Sequence, residues 1–583
     1  MQKYIFIIML LFLSKPNLNY GQTLLSNNQS VVYNNIHQEN IFVHYNASLL
    51  FSGDYLYYKI YNINSQTKKL SQLSKIAYIE LIGKDKKTVF KHKIKLNSGI
   101  GQGDFFIPTS VASGNYKLIA YTKWMKNVGD NYYFQGDVCI INPFLENQNE
   151  ITKKSNDSVV KRESSNQNRI NKTTNKYVEL KLNSKTFSKR EKVIFQISAL
   201  MNEASFGNYS VSVRKIDSIS IPNRPNSSSY QANYSKPQTT SNKKPVFLPE
   251  LRGELLSATV LEKGTDKHVP AKNVTLSISG KNPVFKSLVT NKSGIFYFNL
   301  DEPYETLGAD LYVEGDNSEK YKIILNQNTP LNYDDLAFSD FKISFEMKEL
   351  ILERSINNQI ENAYSNVKQH KIQPEKPAPP FYSGQGITYN LDDFTRFKTV
   401  KETVVEIIND VWIEKRNGVD NFKIKIDQPT IKSLSPLIIV DGLLVLNHDD
   451  LINYDARKIK KISVVNNRYR YGGNVFEGIL SVETINGDFK NSISQAHTKN
   501  VSLIKPQVDK NYFNQMYNND NESLKHVPDY RSQLYWQPNF NLNKIENTIT
   551  FYTSDYIGSY EINIEGFTKD GLPVSIKKII SVK

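Results

Sequence analysis

The sequence predicts a mainly β, multidomain chain of β-sandwich modules with one small α+β unit, and three observations carry that expectation. First, 583 residues exceed what one hydrophobic core serves; at roughly 100–200 residues per domain the chain divides into about three to five modules. Second, short segments alternate with period two, as in Ile41-Phe-Val-His-Tyr45 and Tyr55-Leu-Tyr-Tyr-Lys-Ile-Tyr61, so that every second side chain faces one core. Third, Ser52-Gly-Asp54 and Ala112-Ser-Gly-Asn115 supply the glycine-and-polar chemistry of tight turns.

In chain order, Lys3, an apolar run over 5–13 and the small Gly21 read as an export signal, residues 1–21. Lys15 and Pro16 stop that run short of the roughly 20 apolar residues a spanning helix needs. The expected mature protein is therefore exported, periplasmic or outer-membrane associated, and peripheral with no transmembrane span. Residues 22–144 form the first predicted sandwich. Composition then shifts to Asn, Ser, Lys, Thr and Glu over 145–176, which predicts a linker. A short β module over 177–217 and a Pro- and Ser-containing linker over 218–249 follow. Alternation returns over 250–347, where the turn Asn291-Lys-Ser-Gly294 joins two strands into a hairpin. Residues 348–435 are predicted as a helical and connecting segment. Its first helix, over 348–370, gathers Leu350, Ile351, Ile356, Ile360, Ala363, Tyr364 and Val367 largely on one face; a second is expected over 398–408. The α+β unit occupies 436–488, a further polar linker 489–529, and a closing β module 530–583.

The 73 Lys and Arg against 58 Asp and Glu give a formal charge of +15. The lysines are spread through turns and strand edges, which reads as protective, solubilising charge; no nucleic-acid partner is expected, and acidic envelope glycans are the alternative counter-surface. One cysteine, Cys139, excludes an internal disulfide framework and a multi-cysteine metal site. It lies in an alternating apolar strand and is expected to be inert. The acid pairs Asp334-Asp335, Asp392-Asp393 and Asp449-Asp450 stand beside turns or helix starts, where capping accounts for them. The eight histidines show no spacing that makes a metal or triad site legible. No catalytic, metal or cofactor residue is assigned, no cofactor is expected, and the chain is read as not an enzyme. Tyr55, Tyr57, Tyr58, Tyr552, Tyr556 and Tyr560 are expected in core or cross-strand packing, with sugar stacking as the other use.

Four resemblances add to this. Ser52-Gly-Asp54, Phe105-Phe-Ile-Pro108 and Gly114-Asn-Tyr-Lys-Leu-Ile-Ala-Tyr121 make the first module resemble the macroglobulin-like domains of the alpha-2-macroglobulin family. The thioester found in that family has no counterpart around Cys139. Leu251-Arg-Gly-Glu-Leu255, Val269-Pro-Ala-Lys-Asn-Val-Thr-Leu276 and Thr290-Asn-Lys-Ser-Gly-Ile-Phe-Tyr-Phe298 resemble the carboxypeptidase regulatory-like domain. That resemblance implies a transthyretin-like sandwich without a peptidase centre. Pro436-Leu-Ile-Ile-Val-Asp-Gly442, Ile459-Lys-Lys-Ile-Ser-Val-Val465 and Tyr471-Gly-Gly with Gly478-Ile-Leu-Ser-Val-Glu-Thr484 look like the plug domain of TonB-dependent receptors. Asp441-Gly442 ends an apolar strand in a tight turn, and Gly472, Gly473 and Gly478 permit backbone angles that side chains forbid. Residues 489–583 lack the many alternating strands of a receptor barrel. The order of modules resembles uncharacterised exported proteins of Bacteroidetes.

What these resemblances imply is a non-catalytic cell-envelope binding or adaptor protein. Its expected partner is an outer-membrane or other envelope protein or a transport complex, and its candidate docking residues are Asp441, Gly442, Tyr471, Gly472, Gly473 and Gly478. Two alternatives stand beside it. One is a macroglobulin-type protease-interacting or defence protein without a thioester, with 218–244 as its bait. The other is an envelope hydrolase whose catalytic residues are dispersed through the sequence.

Overall fold

The computed structural model describes residues 36–152, 175–219, 221–234, 247–315, 317–326, 331–382, 385–416, 418–429, 431, 434–493, 497–517 and 526–583. The export signal expected at 1–21 lies outside them. The described chain is mainly β, in several sheets.

The first sandwich packs the three-stranded sheet of Glu39–Tyr45, Tyr55–Asn64 and Ile100–Phe106 against a five-stranded one. The second sheet holds Leu49–Phe51, Phe134–Ile141, Gly114–Tyr121, Ile76–Gly83 and Thr88–Lys95. Leu56, Tyr58 and Ile60 point into the core between them. The alternate residues Tyr57, Lys59 and Tyr61 are buried as well. One-sided burial was the expectation from the period-two pattern; it fails here because a second sandwich covers the outer face.

That second sandwich is assembled from both ends of the chain. Gly207–Lys215 is hydrogen-bonded on one side to Gln533–Leu542 and on the other to Gly558–Thr568. In the opposing sheet Lys192–Ala199 lies between Val178–Leu182 and Glu546–Tyr552. A single core runs through both segments, from Val178 and Val213 to Ile564 and Val582. The modules read separately at 177–217 and 530–583 are thus two halves of one. Neither half has enough strands to bury an apolar face alone, and a partner hundreds of residues away leaves no local trace in sequence.

In the third sandwich, Glu254–Glu262, Ile295–Leu300 and Tyr321–Leu325 face Asn273–Ile278, Val284–Val289 and Gly308–Val313. Its edge is completed by Lys499–Ser502, and Lys371–Ile372 pairs with Lys510–Asn511. The 489–529 segment, read as a poorly ordered linker, therefore supplies strands. Its polar composition concealed this, because an edge strand needs few apolar residues.

The fourth module is the α+β unit and is larger than 436–488. Its sheet orders Ile387–Asn390, Ile459–Tyr471, Asn474–Thr484, Leu437–Val440 and Leu443–Leu444. Leu437–Val440 runs parallel to Asn474–Thr484. The helix Val400–Glu406 and the hairpin Val411–Arg416 with Val419–Ile424 join the same core through Val400, Val404, Phe422 and Ile424. Thr399 and Glu402 close that helix's N-terminus in a reciprocal capping box.

The other two predicted linkers are partly docked. Ile151 is buried beside Cys139. Residues 221–230 wedge between the first two sandwiches: Arg224 donates to Tyr45 O at 2.7 Å and to Glu561 Oε1 at 2.7 Å, and the Tyr230 ring lies 5.4 Å from Phe42. After the third sandwich the chain returns along the first, where Phe341 N donates to Asn115 Oδ1 at 3.0 Å and Tyr333 Oη to Glu80 at 2.7 Å.

Candidate functional site

The plug-like motif is the site that the sequence singles out, and the structure turns most of it toward the chain's own third sandwich. Asp441 and Gly442, at φ 49° and 77°, form the turn after Leu437–Val440. The Asp441 carboxylate is spent internally: it accepts from Thr484 N at 2.8 Å, Thr484 Oγ1 at 2.6 Å and Phe489 N at 3.2 Å. Burial nevertheless raises its pKa. Its carbonyl accepts from Gly280 N at 3.3 Å, and a Cβ at Gly442 would stand 2.5 Å from Pro283 Cβ.

The hairpin end docks beside it. Tyr471 Oη donates to Phe285 O at 2.9 Å, and its ring stacks on Phe381 at 4.2 Å. A Cβ at Gly472 would meet Ser287 Oγ at 2.5 Å; one at Gly473 would run into Asn273 and Val289. Asn474 hydrogen-bonds both Asn273 and Glu314. The Glu314 carboxyl is pushed up to about 7 by burial, against the hydrogen bonds of Ser287 and Asn474. Gly478, at φ 86°, contacts Val465 O and Ile424 within its own module. Gly442, Gly472 and Gly473 are thus closely approached by residues 273–289 of the same chain; of the three glycines expected in backbone that side chains avoid, Gly472 and Gly478 adopt it and Gly473 does not. A docking role toward a second protein is not open to Gly442, Gly472 or Gly473 while that contact stands.

Two further polar clusters were not legible in sequence. On the covered face of the first sandwich, His44 Nδ1 lies 2.6 Å from Ser210 Oγ and its Nε2 3.4 Å from Asn563 Nδ2. This looks like a nucleophile and its base. All three groups, however, are buried. Burial, then Arg224 and Lys577, hold His44 well below its ordinary pKa. It acts as a neutral bridge between sandwiches. Directly opposite His44 across the strand pair, Lys59 reaches Asn539 of the second sandwich.

The second cluster centres on Asp54. Arg354 Nη2 lies 3.0 and 2.9 Å from its two carboxylate oxygens, and Arg214 Nη2 2.9 Å from Oδ2. Burial opposes ionisation of Asp54, but Arg354 and Arg214 outweigh it and hold the carboxyl below its usual range. Three pieces of chain meet here: the first sandwich, the second sandwich and the helix Lys348–Ala363.

That helix corrects an expectation. It is shorter than 348–370, and its fully buried residues are Arg354, Ser355, Asn357 and Asn358. Leu350 and Ile351 pack partly on Phe51 and Ile141. Phe345, Leu352 and Ile356 face outward, at 84%, 52% and 47% exposure. Of the expected apolar face, Leu350, Ile351 and Ile360 are half-buried and Ile356, Ala363 and Tyr364 are exposed, so the buried pair with Asp54 stands beside a stripe that is only partly covered.

Other candidate chemistry dissolves into structure. Cys139 is buried and its thiol pushed up to about 12 by burial. Tyr57, Tyr58, Tyr556 and Tyr560 are buried, while Tyr55 and Tyr552 are half-buried. Asp449 and Asp450 open a short helix beside a depression of about 480 Å³ that also takes in Tyr454, Asp455 and Lys458. The Asp455 carboxyl is held near 2 by its hydrogen bond to Arg457. No group of three or more His, Cys, Asp or Glu side chains converges as a metal site among the described residues, and no described helix is long and apolar enough to cross a membrane. The bait expected at 218–244 falls partly outside the described residues, and the part within them is the docked wedge.

No family model matches the chain, and no curated protein does. Solved structures of bacterial alpha-2-macroglobulins do align with it. The Salmonella protein reacted with methylamine is 10% identical over 93% of this chain and 39% of its own, with a TM-score of 0.23. The native conformation of the E. coli protein is 10% identical over 94% and 40%, at 0.24. The elastase-activated form of the E. coli protein is 9% identical over 94% and 44%, also at 0.24. The chain thus spans about two fifths of the length of the structures it matches.

Proposed function

We propose that this protein is a non-catalytic binding or adaptor protein of the cell envelope, exported and peripheral, and that it engages a protein partner through the outward stripe of the helix Lys348–Ala363. The observation that carries this reading is the stripe itself: Leu352 and Ile356 stand exposed one turn apart on a helix fixed from behind by a buried ion pair, and Phe345 is exposed in the turn that leads into it. A rigid apolar line binds at little entropic cost, since nothing must be ordered on contact. Glu349 and Glu353 border the stripe and are exposed, so the complementary partner presents an apolar face rimmed by lysine or arginine.

The test is a cross-linking pull-down from native envelope with the full chain, the variant Phe345→Ser/Leu352→Ser/Ile356→Ser, and a control variant Val405→Ser/Trp412→Ser at exposed positions of the fourth module. The reading expects an envelope protein recovered by wild type and control and lost from the stripe variant. Equal recovery by all three, or recovery of nothing, defeats it.

A further inference from the structure

The first and second sandwiches meet across a buried lysine that no acid neutralises. Lys59 lies in the strand Tyr55–Asn64, closed to water, and its ammonium donates to Asn539 Oδ1 of the second sandwich. Among the described residues the other two buried lysines meet carboxylates: Lys93 pairs with Glu254, and Lys117 with Asp137 at 2.6 Å. No described carboxylate pairs with Lys59; Asp509 acts on it through its field alone. A buried ammonium whose partner is a neutral amide keeps most of its desolvation cost.

The Asn539 carboxamide is held at both ends. Its strand, Gln533–Leu542, slips register against Gly207–Lys215 between Gln537 and Phe540, and a bulge of this kind re-aims the side chains it carries. Asn539 Nδ2 donates to Gln102 Oε1 at 2.7 Å, and Gln102 stands directly opposite Lys59 across the strand pair of the first sandwich. Gln102 Nε2 in turn donates to Lys510 O at 3.0 Å, which fixes the residue after Asp509 to the same spot. Burial lowers the pKa of Lys59 to about 7, against the raising effect of Asp509. Near neutral pH a large share of the amine is therefore uncharged, with its lone pair free to attack. Tyr57 and Tyr61, the neighbours of Lys59 on that face, are buried, whereas Asn539 is exposed and leaves a small product a way out.

An amine fixed against a carboxamide has already met the entropic cost of bringing the two together. We propose that Lys59 and Asn539 join in an isopeptide bond that ties the first sandwich to the second across 480 residues of sequence. The lone pair of Lys59 Nζ attacks Asn539 Cγ, the bond from Cγ to Nδ2 breaks, and Nδ2 leaves as ammonia with the proton that Nζ gives up. One primary amine and one primary amide become one secondary amide and one ammonia, with nothing oxidised or reduced. Asp509 is the carboxyl that carries the proton between the two nitrogens. Escape of ammonia to solvent and removal of a buried charge favour the product. The pH dependence that a free Lys59 gives to stability belongs to the chain before this bond forms. The bond is separate from the helix stripe and does not depend on the partner proposed for it.

The experiment is intact-mass and tryptic-peptide mass spectrometry of the purified full chain, followed over time at mildly alkaline pH. Wild type is expected to lose the mass of one ammonia and to yield a branched peptide in which Lys59 is uncleaved and joined to the segment that holds Asn539. Lys59→Met and Asn539→Ala are expected to give no branched peptide, and Asp509→Asn to accumulate it at least about tenfold more slowly. Circular dichroism like that of wild type verifies that each variant folds. A wild-type map with Lys59 and Asn539 in separate, unlinked peptides overturns the proposal. Loss of ammonia without a branched peptide overturns it too, because ring closure of an asparagine or of a terminal glutamine sheds the same molecule. Branched peptide forming in Asp509→Asn as fast as in wild type removes Asp509 from the step. The stripe variant Phe345→Ser/Leu352→Ser/Ile356→Ser is expected to form the bond as wild type does, so the two readings fail independently.

Discussion

Arg354 clasps Asp54 with one guanidinium nitrogen set 3.0 and 2.9 Å from the two carboxylate oxygens, across 300 residues of sequence and in a site closed to water. Removing one partner of such a pair leaves the other buried and under-compensated, which costs roughly 3–5 kcal/mol. Arg354→Ala is therefore expected to lower stability by about that much in urea unfolding, and to release the 348–363 helix to protease. Arg354→Met combined with Asp54→Leu removes both charges and is expected to recover part of the loss. A single variant within about 1 kcal/mol of wild type means that the pair is not the anchor.

The contact between the third sandwich and the plug-like motif is tested at Gly442. Its φ of 77° and the 2.5 Å approach to Pro283 Cβ leave no room for a side chain. Gly442→Ala is expected to cost about 1–3 kcal/mol from left-handed backbone strain and the displaced proline. Hydrogen exchange should rise together in 274–289 and 437–484 while the first two sandwiches stay protected; a rise confined to one side contradicts the coupling.

Glu314 makes the same contact pH-dependent. Its carboxyl stands at about 7 in the folded chain against an ordinary 4.5, so the folded state holds the proton more tightly. The stability this contributes is fully present below about pH 4.5, is lost as pH rises to 7, and is constant above; the total is at most about 3 kcal/mol. Glu314→Gln is expected to flatten that slope and to be more stable than wild type at pH 8. Equal pH dependence in urea titrations of both proteins refutes the assignment.

Lys59 gives the opposite sign. Burial lowers its pKa from 10.5 to about 7, against the raising effect of Asp509, and its ammonium is bonded to the neutral Asn539. The folded state binds the proton less tightly than the unfolded chain, so wild type gains stability as pH rises from 7 toward 10.5. Lys59→Met keeps the buried stem and drops the charge; it is expected to match or exceed wild type at pH 7 and to lose its advantage by pH 10. A variant destabilised at pH 7 shows that the amide contact outweighs desolvation.

The second sandwich predicts its own truncation phenotype. Without residues 530–583, Gly207–Lys215 loses both of its neighbours in the sheet. A chain ending at 529 is expected to be cleaved throughout 177–217 while 39–141 resists limited proteolysis. Protection of 177–217 in the truncated chain would show that it folds alone.

Local features were readable in the sequence and long-range ones were not. The strands around Ile41 and Tyr55, the Asn291-Lys-Ser-Gly294 hairpin and the helix expected over 398–408 rest on neighbours within a few residues, and each pattern carries its own physics. The left-handed backbone expected of Gly472 and Gly478 is present, whereas the close approach at Gly442, Gly472 and Gly473 comes from a distant part of the chain that no local pattern names. The helix at 348–363 shows the limit most sharply. Its apolar periodicity argues for burial of one face from Leu350 to Val367; Leu350 and Ile351 are partly covered, Ile356 and Val367 are exposed, and its most deeply buried side chain is Arg354, held by a carboxylate at Asp54 that is invisible at that distance.

The split second sandwich also fixes an order of events during synthesis. Gly207–Lys215 is a central strand whose two flanking strands, Gln533–Leu542 and Gly558–Thr568, are made more than 300 residues later, so both of its edges stay bare while the third sandwich and the plug-like module are completed. Bare edges are where chains mispair and where chaperones and proteases act. Closure by the late strands is then a molecular receipt: an interrupted chain keeps an open sheet next to its first sandwich, and the cell has a physical mark by which to tell it from a finished one.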